Sequence, residues 1–183
     1  PVVLLHGFPL DHTMWRSQTE SLAQAGFRVA APDLRGFGAT PPARRPATMD
    51  AMADDVALLL DRLGWTRAAL VGFSMGGYAA LAFALRHPHR LDRLALVDTR
   101  AEADTPEGRS RRLASRAQVL AEGLAPLVQG MLPGMLTPRT WAHRRALVEA
   151  GTLLLSNELA HLAAGERQRA RRVSVARRLD DAL

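Results

Sequence analysis

An apolar run, Ala68-Ala69-Leu70-Val71, leads directly into Gly72-Phe73-Ser74-Met75-Gly76-Gly77, and an Ala-rich helix-forming segment, Tyr78 to Leu85, leaves it. Few folds bring strand, sharp turn and helix together in so few residues. Strand and helix must meet at a tight angle. Gly72 and Gly76 lack the Cβ atoms that would collide there, and Gly77 keeps the first helical turn slim. Ser74 then sits at the strand tip, where a Gly-x-Ser-x-Gly turn can expose a nucleophilic hydroxyl beside a helix N-terminus. The plainer reading is a glycine-rich turn holding an ordinary serine, and a pentapeptide alone does not separate the two.

The flanking sequence places this turn in a wider pattern. Val2-Val3-Leu4-Leu5 is a short continuous apolar run that reads as a strand buried on both faces, closed by His6-Gly7-Phe8-Pro9. Thr13 is a cap for a helix running to about Ala25, with Gly26 as its stop. Phe27-Arg28-Val29-Ala30-Ala31 reads as a second strand, followed by Asp33-Leu34-Arg35-Gly36-Phe37-Gly38. Thr48 or Asp50 begins another helix, with Val56, Leu59, Leu60 and Leu63 on one side and Gly64 at its end. Strand Leu94-Ala95-Leu96-Val97 ends at Asp98. Strands alternating with helices predict βαβ units and a parallel sheet with right-handed crossovers. Such sheets carry their sites at the carboxyl ends of the strands. His6-Gly7, Asp33, Ser74 and Asp98 all fall there.

After Asp98 the pattern changes. Residues 101–165 are helical in pattern, broken by Pro106, Pro126, Pro133-Gly134, Pro138 and Gly151. Leu120, Leu124, Leu127, Val128, Met131, Leu132, Met135 and Leu136 make this segment strongly apolar, suited to a lid and pocket wall or to the core of a helical subdomain. The expected organisation is a core over residues 1–100, a helical insert over 101–165 and a basic tail over 166–183.

Composition narrows the function classes. The chain has 183 residues, 48% hydrophobic and 23% charged, in the globular range. It has no Cys, which excludes disulfides, thiol catalysis and zinc–thiolate sites. No apolar run approaches the roughly 18–20 residues of a membrane span, no secretion leader is evident, and a cytoplasmic setting is expected. All 24 basic residues are Arg. Residues 1–138 hold 15 Arg against 13 acids, and residues 139–183 hold 9 against 5, so the tail carries most of the net +6. The run from Gln168 to Arg178 lacks interleaved aromatics and any nucleic-acid module, so a solvated helix face is expected and no nucleic-acid partner. With no Walker-type loop and no His/carboxylate set at ligand spacing, no metal or other cofactor is expected.

Three motifs stand in order: His6-Gly7-Phe8-Pro9 after the first strand, Asp33-Leu34-Arg35-Gly36-Phe37-Gly38 after the second, and Gly72-Phe73-Ser74-Met75-Gly76-Gly77. The set resembles the α/β-hydrolase superfamily, in its cap-bearing esterase, lactonase and haloperoxidase-like branch, over about residues 1–140. Asp98-Thr99-Arg100-Ala101 running into Asp104 is similar to bacterial 3-oxoadipate enol-lactonase-like hydrolases. The resemblance implies an α/β fold, a parallel-sheet hydrolase core with a helical cap. It implies that Ser74 attacks an acyl carbonyl to form an acyl-enzyme. It further implies that the backbone N–H groups of Phe8 and Met75 hold the oxyanion. His6 would buttress its loop, Asp33 and Arg35 would pin the second strand's loop, and Trp15, Trp141 and the methionines of the insert would line the acyl pocket.

A serine needs a general base, and the base an orienting acid. In this fold the order is Ser, acid, His. Past Trp141 no apolar strand ends in Gly-x-x-Asp and no Gly-His follows. His87 and His89 close the nucleophile's helix on the opposite edge of the sheet, while His143 and His161 fall in helical, insert-like sequence. Asp98 stands at a strand tip in an acid position that some relatives use; as a structural residue it would cap the turn into the insert. A Pro inside the first strand and the Arg-rich last 40 or so residues lead to the expectation of a fragment. It would lack the family's first and last strands, with the tail truncated or frame-shifted after about Trp141. The expected function is hydrolysis of small esters or lactones through an acyl-enzyme on Ser74, in a chain lacking the catalytic His. The alternative is a non-catalytic α/β-hydrolase-like remnant or binding protein.

Overall fold

The computed structural model describes residues 1–41, 47–123, 125–135 and 137–143. Four strands form one parallel sheet: β1 (Val2–Leu5), β2 (Val29–Ala30), β3 (Ala68–Phe73) and β4 (Leu91–Val97), in the spatial order β2-β1-β3-β4. Val2–Leu5 pairs in register with Ala69–Gly72, and β3 pairs along its whole length with β4. Three helices connect the strands: α1 (Arg16–Gln24), α2 (Met49–Arg62) and α3 (Met75–Arg86).

Burial follows the two-residue period of the strands. Val3, Leu5, Ala68 and Leu70 point into a core built with Met52, Val56 and Leu60 of α2 and Ala79, Ala80 and Phe83 of α3. Val2 and Leu4 point the other way, onto Trp15, with Leu22 of α1 packed alongside. The chain steps outward from β1 to β2, then returns across β1 to place β3 and β4. With right-handed crossovers that reversal puts α1 on one face and α2 and α3 on the other. It also makes the gap between β1 and β3 the point where strand order switches, the place where open α/β sheets bind ligands.

The helix ends follow local chemistry. Thr48 accepts a hydrogen bond from the Ala51 N–H at 3.1 Å and starts α2, as expected of a Thr at that position. The start of α1 differs from expectation. Asp11, not Thr13, supplies the capping oxygen, accepting the Thr13 N–H at 2.8 Å to open a 3-10 turn (His12–Trp15) that runs into α1. Along α2, Val56 and Leu60 are buried, while Leu63 lies past the helix end and is exposed.

A first compact unit comprises Pro1–Ala103, and a second begins at Asp104. The second contains α4 (Pro106–Glu122), α5 (Ala125–Met135) and α6 (Pro138–His143). Pro106 does not break a helix but starts one. It occupies the first turn of α4, where its missing N–H would be unpaired anyway, and Thr105 caps that turn through the Gly108 N–H. Helix α5 continues through Pro133 and Gly134, which were expected to interrupt it, and ends at Met135. Arg112 pairs with Asp104 and ties the first turns of α4 to the segment before it. Among the described residues no helix is long and apolar enough to cross a membrane. The insert beyond His143 and the whole basic tail lie outside the described residues.

Candidate active site

The turn at Ser74 is built from close contacts that only hydrogen atoms permit. A Cβ on Gly72 would lie 2.5 Å from the Gly76 carbonyl oxygen, and a Cβ on Gly76 would overlap the carbonyl oxygen of Leu5. The helix therefore starts directly against the tips of β3 and β1. Ser74 takes φ 50° and ψ −114°, a strained conformation for a residue with a side chain. Its N–H donates to the Val97 carbonyl at 3.0 Å, and its own carbonyl accepts from the Gly77 N–H at 2.9 Å. These bonds hold the serine in that strained conformation at the head of α3, next to the positive end of the helix dipole.

The loop after β1 lies beside it. A Cβ on Gly7 would come within 3.2 Å of Ser74 Cβ, so the His6-Gly7-Phe8 backbone passes directly by the serine. No described hydrogen bond uses the N–H of Phe8 or of Met75. His6 is fully buried. The Leu34 N–H donates to its Nε2 at 2.9 Å, and its Nδ1 lies 3.1 Å from the Gly7 carbonyl. An Nε2 that accepts carries no proton, so the proton sits on Nδ1 and the ring serves the loop. Phe37 packs edge-on against the His6 and Phe8 rings, at 5.1 and 6.0 Å between centroids.

Asp33 and Arg35 fix the neighbouring loop. Asp33 accepts from the His12 N–H at 2.8 Å, from the Ala39 N–H at 2.9 Å and from His12 Nδ1 at 2.7 Å. Burial alone would raise its pKa, but those donors outweigh it and hold the carboxyl below its usual value. Arg35 grips Asp55 of α2 through two hydrogen bonds of 2.6 Å and reaches the Ala51 carbonyl at 3.0 Å. Asp11, His12 and Asp33 together form a carboxylate–imidazole cluster whose possible ligand atoms lie within 4.8 Å of one another. Sequence spacing does not reveal it, because Asp33 is 21 residues from His12. Its oxygens already serve as cap and loop anchor.

Asp98 lies one residue beyond β4, exposed, at φ 45°. It therefore stands on the strand tip next to Ser74, and no described residue bonds its carboxylate. Trp15, expected in the acyl pocket, is instead a core residue against Val2 and Leu4 on the α1 face. The described histidines with placed side chains are all engaged elsewhere or remote. His12 is on Asp33, and His87 bonds Asp54 at 2.8 Å. His87 and His89 follow α3, about 18 Å from Ser74 at the helical rise of about 1.5 Å per residue. His161 falls outside the described residues, as do the side chains of Trp141 and His143. A cavity under the β2 exit, walled by Leu34, Arg35, Val56 and Leu59, shares no residue with the Ser74 turn.

The chain matches the alpha/beta hydrolase fold family over residues 1–174. It belongs to the α/β-hydrolase family. Among solved structures, a thermophilic esterase from Thermogutta terrifontis superposes with a TM-score of 0.83 at 39% identity, covering 98% of this chain and 62% of that one. The enol-lactonase from Burkholderia xenovorans LB400 gives a TM-score of 0.77 at 27% identity, over 98% of this chain and 65% of that one. The AB hydrolase superfamily protein YisY of Bacillus subtilis (strain 168) is 40% identical over 106 residues, 57% of this chain and 40% of that protein. The chain thus spans less than two thirds of these α/β-hydrolase relatives. Membership accounts for the parallel sheet, the glycine-walled turn and the loop beside it.

Proposed function

We propose that this chain carries the nucleophilic half of a serine hydrolase of small esters or lactones, with Ser74 as the nucleophile. One observation carries the reading: Ser74 is held in a strained conformation at a helix head with the Gly7 backbone alongside it, and no hydrogen bond among the described residues uses the N–H of Phe8 or of Met75. An acyl carbonyl placed against Ser74 Oγ would direct its developing oxyanion at those two donors. Attack by Oγ opens the carbonyl π bond to a tetrahedral oxyanion. Collapse breaks the ester C–O bond, and the proton lost by Ser74 passes through a base to the leaving oxygen. The acyl group stays on Ser74, with the alcohol freed from an ester or still tethered in an opened lactone; water then releases the acid and regenerates the hydroxyl. Asp98, on the adjacent strand tip, is the proposed acid that orients the base. Residues 101–165 are the proposed cap insert. An esterase and an enol-lactonase among the structural relatives support an ester or lactone as the bond cleaved.

The second reading, a binding protein that keeps the turn without catalysis, draws on one fact: no described histidine with a placed side chain is in position to take the Ser74 proton. Hydrolysis of p-nitrophenyl acetate by the full chain and by Ser74→Ala separates the two. The hydrolase reading expects turnover that the variant loses. Turnover surviving the substitution removes Ser74 as nucleophile, and equal lack of turnover in both leaves the binding reading.

A further inference from the structure

Asp98-Thr99-Arg100 follows β4 in the segment that also holds the proposed acid, yet the reading above gives Thr99 no part. Its hydroxyl donates to the carbonyl oxygen of Ser74 at 2.8 Å. That contact requires two local features. Asp98 must turn through a left-handed conformation, φ 45°, to send the chain back under the head of α3. Gly77 must be a glycine, because a Cβ there would lie 2.5 Å from both Oγ1 and Cγ2 of Thr99. The exit of β4 therefore holds the nucleophile's residue at both ends. Val97 accepts its N–H, and Thr99 donates to its carbonyl.

The carbonyl of Ser74 and the N–H of Met75 belong to one peptide group. That group is planar and trans, so the two bonds point in opposite directions and turn together. Whatever fixes the Ser74 oxygen fixes the direction in which the Met75 N–H points. The Gly77 N–H also donates to this oxygen, but Gly77 rides on the same helix and moves with the turn. Thr99 lies two residues past the end of the neighbouring strand β4, so its bond ties the peptide plane to the exit of that strand. A second hydrogen bond at the carbonyl also polarises the amide and makes its N–H a stronger donor.

We infer that Thr99 is a positioning residue for the oxyanion site: its hydroxyl sets the orientation and donor strength of the Met75 N–H through the Ser74–Met75 peptide. The inference rests on the proposed role of Met75 as an oxyanion donor, while the contact itself does not. The test compares Thr99→Val, which keeps the shape and removes the hydroxyl, with Thr99→Ser, which keeps the hydroxyl. Two readouts are taken on the full chain. The first is the carbonyl carbon shift of Ser74 together with the amide shifts of Met75 by NMR. The second is kcat and KM for p-nitrophenyl acetate.

In Thr99→Val the Ser74 carbonyl should move toward its less hydrogen-bonded value, and the Met75 amide should move with it. The value of kcat should fall about five- to tenfold, the effect of one ordinary hydrogen bond. KM should hold, because the oxyanion exists only in the transition state. Thr99→Ser should restore both readouts. Unchanged shifts in Thr99→Val overturn the inference, as does a shifted carbonyl with unchanged kcat. A wild-type chain without turnover defeats the hydrolase reading instead; the Thr99 contact and its effect on the Met75 amide then stand or fall on the two shifts.

Discussion

At the scale of single residues, the first unit spends its polar groups on holding loops still beside one serine. His6 shows how. A histidine next to a Gly-x-Ser-x-Gly turn invites reading as a catalytic base, but its Nε2 accepts the Leu34 N–H, so it joins the loop after β1 to the loop after β2. Replacing it by Phe keeps ring volume and leaves that buried N–H without a partner, at a cost of about 1–3 kcal/mol. Urea denaturation of His6→Phe should show a lower midpoint with an unchanged slope; an unchanged midpoint would mean that water satisfies Leu34 just as well. The position of Ser74 was legible in the sequence because a turn this tight demands glycines at fixed offsets, and glycines can be read. The bonds His6–Leu34, His12–Asp33 and Thr99–Ser74 were not. Each joins residues more than 20 positions apart, and nothing in residue type announces which distant N–H or carbonyl a side chain will meet.

At the scale of elements, the two central strands were plain in the sequence and the two outer ones were not. Strand β1 is buried on both faces and β3 is buried on one and half-buried on the other, so each reads as an unbroken apolar run. Strand β2 was expected over five residues and has two, because it pairs only Val29 and Ala30 with β1 while Phe27 and Arg28 stay exposed. Strand β4 was expected from Leu94 and begins at Leu91. Asp92 and Arg93 hide its start, and an exposed strand can carry them. Among the described residues β4 has a partner on one side only, and Leu94, Leu96 and Val97 are all more than a third exposed. The same substitution should therefore behave differently on the two neighbouring strands. Leu70, 1% exposed in β3, should cost about 2–5 kcal/mol when cut to Ala. Leu96, 44% exposed in β4, should cost within about 0.5 kcal/mol. Paired denaturation curves measure both, and comparable losses would mean that β4 is covered in solution.

At the scale of the whole molecule, carboxylates tie separate elements together, and this sets how stability responds to acid. Asp33 joins the β2 exit to the turn before α1. Its three donors overcome the burial that would raise its pKa and leave it lowered. Asp54 joins α2 to the end of α3, lowered by hydrogen bonds from Arg86 and His87. A carboxyl whose pKa is lower folded than unfolded binds fewer protons in the native state across that interval. Its contribution is complete above the unfolded value, about 3.9 for Asp, and is lost as pH falls through the folded value. The urea midpoint should therefore hold near neutrality and drop as pH falls below about 4. The two groups should also separate. Asp54 is exposed, so salt near 1 M should screen its share, since the Debye length is then about 3 Å. Asp33 is buried at its side chain and should keep its share. Asp33→Asn retains one accepting oxygen but no charge. It should be less stable than wild type at pH 7 and show a shallower acid slope that salt changes little. A wild-type midpoint that stays level or rises between pH 5 and 3 would mean that these carboxylates do not hold the loops as their hydrogen bonds require.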